Sequence, residues 1–400
     1  MPTPTTTPTT MTTALNGVSI CEERFLDDLA HFASIGGRPD GGVDRVAGSA
    51  ADVAGRAWFA QRIADAGLVR HVDAIGNVFG TAPGSEGPYL LIGSHTDTVP
   101  AGGRLDGAYG TIAALEILRA LHEAGHPAAR SLRIVGFFDE EGARPESTGG
   151  LTGSTAFCSG EGIRDVSAFL ELHIEQGPRM EAAGTELAVV EGIVGVQRFS
   201  VTFFGETNHA GTTPMAGRAD AGRAAMKLAS RVQPMVLGID RDMVMNIGFI
   251  EFVPGAPNVV PGEARLVVEW RSGSPYALTE ATRELDALAR WTAADESCTV
   301  SVERISDKRI TEFDPALCDT VERACRITGG RQERLLSYAG HDASVLAQHV
   351  PTAMLFVPSR GGVSHSPKED TSDAQLVRGC QALLQSVIGY GAGAGDADAS

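Results

Sequence analysis

Two apolar, strand-like runs, Tyr89–Ile92 and Ser131–Phe138, lead straight into loops crowded with glycine and ionisable side chains. The first loop, GSHTDTVPAGGRLDGAYG, carries His95, Asp97 and Asp106; the second, DEEGARP, carries Glu140 and Glu141. Buried strands that end in charged groups need those groups to leave the core together, which favours a sheet whose strand C-termini share one edge. Glycines at such an edge let the backbone approach a ligand closely. Imidazoles and carboxylates grouped this way are the donors that two adjacent divalent ions require.

The surrounding pattern agrees with such a sheet. Helical spacing predicts helices at Glu22–Ser34, Ala51–Ala66 and Ile112–Ala124, between the strands above and a further strand at Ala168–Leu172 ending in His173. Strands alternating with helices predict an α/β, doubly wound catalytic domain. From Val196 the rhythm changes to strand Gln197–Phe204, helix Ala219–Val236, strands Val244–Phe252 and Glu263–Arg271, helix Pro275–Ala294 and strand Thr299–Ile305. That β-α-β-β-α-β order predicts an inserted ferredoxin-like α+β domain. The expected division is a disordered tail over 1–20, a discontinuous first domain over 21–195 and 308–391, the insert over 196–307, and a second tail over 392–400. The opening MPTPTTTPTTMTT lacks the charged and apolar regions of a secretory signal, and Met11 is a second candidate start.

A net charge of −17 on 400 residues disfavours nucleic acid or an anionic membrane as partner. No apolar run approaches the roughly 20 residues of a membrane-spanning helix. Six scattered cysteines without a CxxC pair predict reduced thiols and a cytoplasmic protein.

Side chains two apart on an extended segment share a face, so Asp97 is placed to orient His95 from behind. Adjacent Glu140 and Glu141 can divide labour on a turn, one ligating and the other acting as general base. Arg271 ends the strand LVVEWR, and its planar fork suits a carboxylate bidentately.

Taken in order, GSHTDTVPAGGRLDGAYG, DEEGARP, LELHIEQGP, GETNHAGTTPM, NVVPGEARLVVEWR, AGHDA and GGVSHSP resemble the M20-type metallopeptidase/amidase family. They are most similar to its branch of N-carbamoyl-L-amino acid hydrolases, β-ureidopropionases and allantoate amidohydrolases. The resemblance implies His95, Asp106, Glu141, His173 and His365 as ligands of two divalent ions (zinc, manganese, cobalt or nickel), with Asp106 bridging. It implies Glu140 as the base beside Asp97, and Gln176, His209, Asn258, Arg271 and Gly340 as substrate contacts. It further implies that the insert is a lid and dimerisation domain, with His209 acting in the partner's site of a homodimer. The activity implied is hydrolysis of an N-carbamoyl-L-amino acid or related ureido acid carrying a carboxylate, by metal-activated hydroxide. Allantoate hydrolysis, or aminoacylase or dipeptidase activity on the same scaffold, are the alternatives. The chain departs from the branch in a shorter stretch between Gly153 and His173, in Tyr338 where glycine is usual, and in Pro145 where Phe is common.

Overall fold

The computed structural model describes residues 17–147 and 149–397. In chain order the elements begin with α1 (Glu22–Ser34), α2 (Ala50–Asp65), β1 (Val69–Val72), β2 (Val78–Thr81), β3 (Tyr89–His95), α3 (Ala108–Glu123) and β4 (Leu132–Phe137). Next come α4 (Thr152–Ser159), β5 (Val166–Ile174), α5 (Arg179–Ala183), β6 (Leu187–Ile193), β7 (Gly195–Phe204), β8 (Asn208–His209) and α6 (Ala221–Ile239). They continue with β9 (Val244–Val253), β10 (Val259–Val260), β11 (Glu263–Ser272), α7 (Pro275–Asp295), β12 (Thr299–Lys308) and β13 (Thr311–Glu312). The last are α8 (Pro315–Thr328), β14 (Gln332–Ser337), α9 (Ala343–Leu346), β15 (Thr352–Val357) and α10 (Asp373–Ala397).

The chain forms two compact units. One holds the chain up to Glu191, Phe313–Leu335 and the chain from His341 onward; the other holds Gly192–Glu312 and Leu336–Gly340. The second is therefore wider than the expected 196–307 and takes in a short return segment near Tyr338.

In the first unit the sheet order is β1-β2-β4-β3-β5-β15-β6. The neighbours β4-β3, β3-β5 and β5-β15 are parallel, so four strands direct their C-termini to one edge. The flanking pairs β1-β2, β2-β4 and β15-β6 are antiparallel, which makes the sheet mixed rather than wholly parallel as a doubly wound fold would have it. Every residue of β3 and β15 is buried, as central strands covered on both faces must be. Helix α3 is buried from Ala108 through Leu121, and its two charged interior residues are paired. Glu116 accepts from Arg24 at 2.7 Å, and Arg119 donates to Asp28 at 2.5 Å.

The second unit is a four-stranded antiparallel sheet, β12-β7-β11-β9, packed against α6 and α7. Its β-α-β-β-α-β order is interrupted by the ribbon β8-β10. Leu266, Val268 and Trp270 alternate into the helix-covered face, each fully buried. Trp270 packs on Phe199 with ring centroids 4.8 Å apart, and its Nε1–H donates to Gln197 Oε1 at 3.0 Å.

The expected tails need correction at their inner edges. Val18 and Ile20 are buried, and α10 carries its backbone to Ala397, beyond the expected start of the second tail. Residues 1–16 and 398–400 lie outside the described residues.

Truncating Trp270 to Ala should cost about 3–5 kcal/mol, because it empties a packed core and removes one of the two hydrogen bonds that Gln197 Oε1 accepts, the other coming from Thr282 Oγ1. Phe249→Ala on the other face of the sheet should cost under about 1 kcal/mol. Denaturant unfolding measures both, and equal losses would contradict a one-sided core.

Candidate active site

The C-terminal ends of the four parallel strands supply the ionisable groups. His95 is the last residue of β3, Asp97 and Asp106 lie in the loop to α3, and Glu140 and Glu141 follow β4. His173 is the penultimate residue of β5, Gln176 lies just beyond it, and His365 follows β15.

Asp106 sits at the centre, buried, with its two oxygens facing different partners. Oδ1 is 3.4 Å from His95 Nε2 and 3.1 Å from His173 Nε2. Oδ2 is 3.1 Å from His365 Nε2, which is itself 3.4 Å from Glu141 Oε2. Two donor groups result, His95–Asp106–His173 and Asp106–Glu141–His365.

The first two imidazoles are oriented by backbone carbonyls. His173 Nδ1 meets Ile174 O at 2.9 Å, and His95 Nδ1 meets Asp97 O at 3.1 Å. A ring that donates Nδ1–H in this way presents Nε2 to the site. Gly107 makes room for it: its φ is +63°, and a Cβ there would lie 2.4 Å from the His95 ring.

Asp97 does not chiefly hold the ring nitrogen, as its spacing had implied; its carboxylate is 3.7 Å from His95 Nδ1. It accepts instead the N–H of Glu140 at 3.1 Å and of Glu141 at 3.2 Å. The preceding Asp139 has a left-handed backbone, φ +55°, held by Thr152 Oγ1 at 2.6 Å and Arg144 Nε at 3.0 Å. On that turn the adjacent glutamates diverge, Glu140 Oε2 lying 3.9 Å from His95 Nε2 while Glu141 faces His365.

Burial alone would push the His95 and His173 imidazoles down, but the Asp106 hydrogen bond and nearby carboxylates hold both above their ordinary value. Asp106 is held well below the usual carboxylate range: burial opposes this, and hydrogen bonds from His173, His365 and His95 outweigh it. Burial pushes Glu140 well up, aided by the charges of Asp342 and Glu141. Burial also raises Glu141 to about 7 and Asp342 to about 8.

These groups fit a pair of divalent ions. Tetrahedral donors about 2.05 Å from a zinc ion lie roughly 3.3 Å from one another. The contacts around Asp106 span 3.1–3.4 Å. Glu141 Oε1 is buried with no hydrogen-bond partner, a donor waiting for a cation. Glu171, His173 and His341 form a third such group. There, however, His173 Nδ1 is already committed to Ile174 O, and Glu171 is engaged by Ser94 Oγ at 2.7 Å and Ala343 N at 3.0 Å.

Several of these neighbours were not singled out from the sequence. Glu171 was legible in principle, two residues before His173 on the same strand. Glu369, which accepts from the backbone of the Asp106 loop, carries no periodic signal. Gln176 Nε2 donates to Asp106 Oδ2 at 2.8 Å, which puts the residue at the donor groups themselves.

The remaining candidates, His209, Asn258, Arg271 and Gly340, belong to the second unit. His209 and Asn258 come together on the β8-β10 ribbon, where Ala210 N–H donates to Asn258 O at 2.9 Å. His209 Nδ1 accepts from Gly211 N at 3.0 Å and its ring is exposed. Arg271 sits at the far end of β11. Its Nε donates to Glu269 at 2.9 Å and its Nη1 to Tyr338 O at 2.6 Å, so two of its donors are engaged. The Tyr338 hydroxyl donates to Asp242 O at 3.0 Å.

Ion binding here should be strongly pH-dependent. Without ions the Asp106 contact keeps His365 protonated up to about pH 9, above its ordinary 6.5. An entering ion displaces that proton, so zinc affinity should rise from pH 7 to 9 with calorimetrically measurable proton release. A raised folded-state pKa stabilises fully below pH 6.5 and loses its effect as pH climbs through about 9. The melting temperature of chelated protein should therefore fall across that window, and a flat profile would count against the His365–Asp106 pair.

The sequence pattern of peptidase family M20/M25/M40 matches residues 91–388. The chain is 32% identical over 390 residues to an allantoate amidohydrolase of Bacillus subtilis (strain 168), covering 89% of this chain and 95% of that one. It is 32% identical over 397 residues to an N-carbamoyl-L-amino-acid amidohydrolase of Rhizobium meliloti, covering 92% and 95%. A solved hydantoinase/carbamoylase family amidase from Burkholderia phymatum superposes with a TM-score of 0.83 at 34% identity, over 94% of this chain and 99% of that one. Whole-length similarity of this order, on a chain that gathers the donor groups described above, means that it belongs to the metal-dependent M20 family and is an amidohydrolase.

Proposed function

We propose that the protein hydrolyses the C–N bond of an N-carbamoyl-L-amino acid or a related ureido acid, with two divalent ions per chain and Glu140 as general base. The observation that carries this reading is the division of Asp106, whose oxygens face separate imidazole groups while Glu140 stands beside one of them, free of ligand duty. The substrate class rests on the similar proteins, whose named substrates, allantoate and N-carbamoyl-L-amino acids, share a ureido group and a carboxylate. The donors would be His95 and His173 on one side, Glu141 and His365 on the other, with Asp106 between. A mixed nitrogen and oxygen set of this kind accepts zinc, manganese, cobalt or nickel. Bound there, the ions would supply Lewis acidity toward the carbonyl and toward water.

The chain's own residues do the rest. Asp97 fixes the turn that aims Glu140, by accepting both amide N–H groups. Glu140, buried and with raised proton affinity, takes a proton from the attacking water and returns it to the leaving nitrogen. With a carbamoyl substrate and one water, the products are ammonia, carbon dioxide and the amino acid. Arg271, with Nε and Nη1 engaged, would offer Nη2 to the substrate carboxylate, and Gln176 and Gly340 would be further substrate contacts. Free thiols at all six cysteines fit a cytoplasmic enzyme.

A homodimer is part of this reading. Between the β8-β10 ribbon and Arg271 runs most of β11, roughly 25–30 Å of strand, too far for His209 and Arg271 to hold one small substrate within one chain. His209 of one protomer would instead serve its partner's site, as an oxyanion donor together with Asn258. The edge strand β9 exposes Phe249, Ile250 and Val253 to 43%, 45% and 43%, apolar surface that a second copy could cover.

Chelation should abolish hydrolysis of N-carbamoyl amino acids, and adding back zinc, manganese, cobalt or nickel should restore it. Glu140→Gln should cut kcat about 10²–10⁴-fold with metal content unchanged; normal turnover would reject its role as base. For the dimer, His209→Ala and Glu140→Gln should each be inactive alone. Mixed and allowed to exchange, they should recover about a quarter of wild-type activity, since half the dimers are hybrids with one complete site. No recovery in proven hybrids would place His209 in its own chain's site or outside catalysis.

A further inference from the structure

Glu369 is a buried carboxylate, 4% exposed, that no step above uses. Its Oε1 accepts the N–H of Leu105 at 2.9 Å and of Asp106 at 3.1 Å. Its Oε2 accepts from Ser364 Oγ at 2.7 Å. Ser364 directly precedes His365, whose backbone is left-handed at φ +52°. One side chain therefore ties the peptide of one ion-facing residue to the residue before another, across 264 positions of sequence between Leu105 and Glu369.

The loop is shaped to admit it. An ideal Cβ at Gly103 would lie 2.0 Å from the Glu369 carboxyl carbon, so position 103 is glycine because Glu369 fills the side-chain space. Gln176 closes the arrangement, its Nε2 donating to Asp106 Oδ2 at 2.8 Å and to Ser364 Oγ at 3.2 Å. The Glu369 bonds end on Leu105, Asp106 and Ser364, so of the other donor group they touch only the shared Asp106, through its backbone N–H. His95 and His173 are held by their own carbonyl contacts to Asp97 and Ile174.

We propose that Glu369 is a positioning residue, setting Asp106 and His365 in register so that the Asp106–Glu141–His365 group can take its ion. This rests on the dinuclear reading above. Buried hydrogen bonds to a carboxylate are charge-assisted and directional, and removing the acceptor leaves two amide N–H groups unsatisfied. The Asp106 turn then relaxes, and Oδ2 loses its aim at His365. Glutamine can preserve the geometry: its carbonyl accepts both amides, and its NH₂ can donate to the Ser364 hydroxyl oxygen.

The test is zinc binding by the full-length chain, with stoichiometry read by elemental mass spectrometry after dialysis against buffered free zinc. Cobalt absorption spectra report each coordination environment. Glu369→Ala should weaken the second ion about 10–100-fold, as loss of a residue that orients ligands does. The first ion should shift far less, and the chelated variant should keep a cooperative thermal transition. Glu369→Gln should bind both ions within about threefold of wild type. Unchanged binding in Glu369→Ala, equal weakening of both ions, or Glu369→Gln as impaired as Ala would each overturn the assignment. Should Glu369→Ala not fold, Gly103→Ala, which displaces the carboxylate without removing it, must show the same selective loss, and normal two-ion binding in it is equally fatal. A wild-type chain that takes up no second ion overturns the dinuclear reading, and this role with it.

Discussion

One buried carboxylate, Asp106, is shared by imidazoles from two strand ends and one loop, and the chemistry of the strand ends depends on that sharing. It is the acid of the site held well below its ordinary range, because three histidines hydrogen-bond to it. Around it, burial holds Glu140, Glu141, Glu171, Glu369 and Asp342 above theirs, and neighbouring negative charge adds to this for all but Glu171. The cluster is thus short of positive charge. A carboxyl that stays protonated for want of a cation becomes a ligand once a cation arrives, so ion binding, proton release and local rigidity are one coupled process here.

Such a cluster persists only if the backbone around it cannot relax. Parallel pairing of β4, β3, β5 and β15 brings four strand ends side by side, and further groups lock the loop after β3. The fully buried Arg45 donates through Nε to Thr96 O at 2.6 Å and through Nη1 to Phe32 O and Ile35 O, both at 2.9 Å. Its guanidinium lies over the Phe32 ring at 4.0 Å, and burial lowers its pKa to about 10. Thr111 Oγ1 donates to His95 O at 3.0 Å from the first turns of α3. The short stretch from His95 to Thr98 is therefore gripped from two sides, and the metal-facing edge is made rigid by residues that never meet the substrate.

The sequence disclosed this edge unevenly, for physical reasons. His95, Asp106, Glu140 and Glu141 stood out because their loops each follow a largely apolar run that reads as a buried strand. His173 gave the same signal at the end of the run Ala168–Leu172, while its ligand role, and His365 altogether, were legible through resemblance to known motifs. The pieces β1 and β2 were missed because VRHV and VFGT are four residues long and lack a sustained alternation, and β1 is exposed throughout. Those same strands, with β6, turn the expected parallel sheet into a mixed one. Glu369 was invisible for another reason: its role is a contact with backbone amides of a distant loop, and amides leave no mark in sequence. The glycine at 103 was the only trace, readable once the side chain filling its space was known.

The second unit adds a constraint of length rather than of chemistry. A strand such as β11, ten residues long, is about 33 Å from end to end, while a ureido acid spans only a fraction of that. The ribbon bearing His209 and Asn258 stands near the start of β11, and Arg271 stands near its end. No side-chain rearrangement closes such a gap, because β11 is paired on both edges, with β7 and with β9. If both groups serve one substrate, one of them must come from another copy, and the rigid sheet becomes the element that measures out the distance between two sites. The strand's ladder of hydrogen bonds would then fix how far apart the two sites lie, and catalysis would depend on its register as directly as on Glu140.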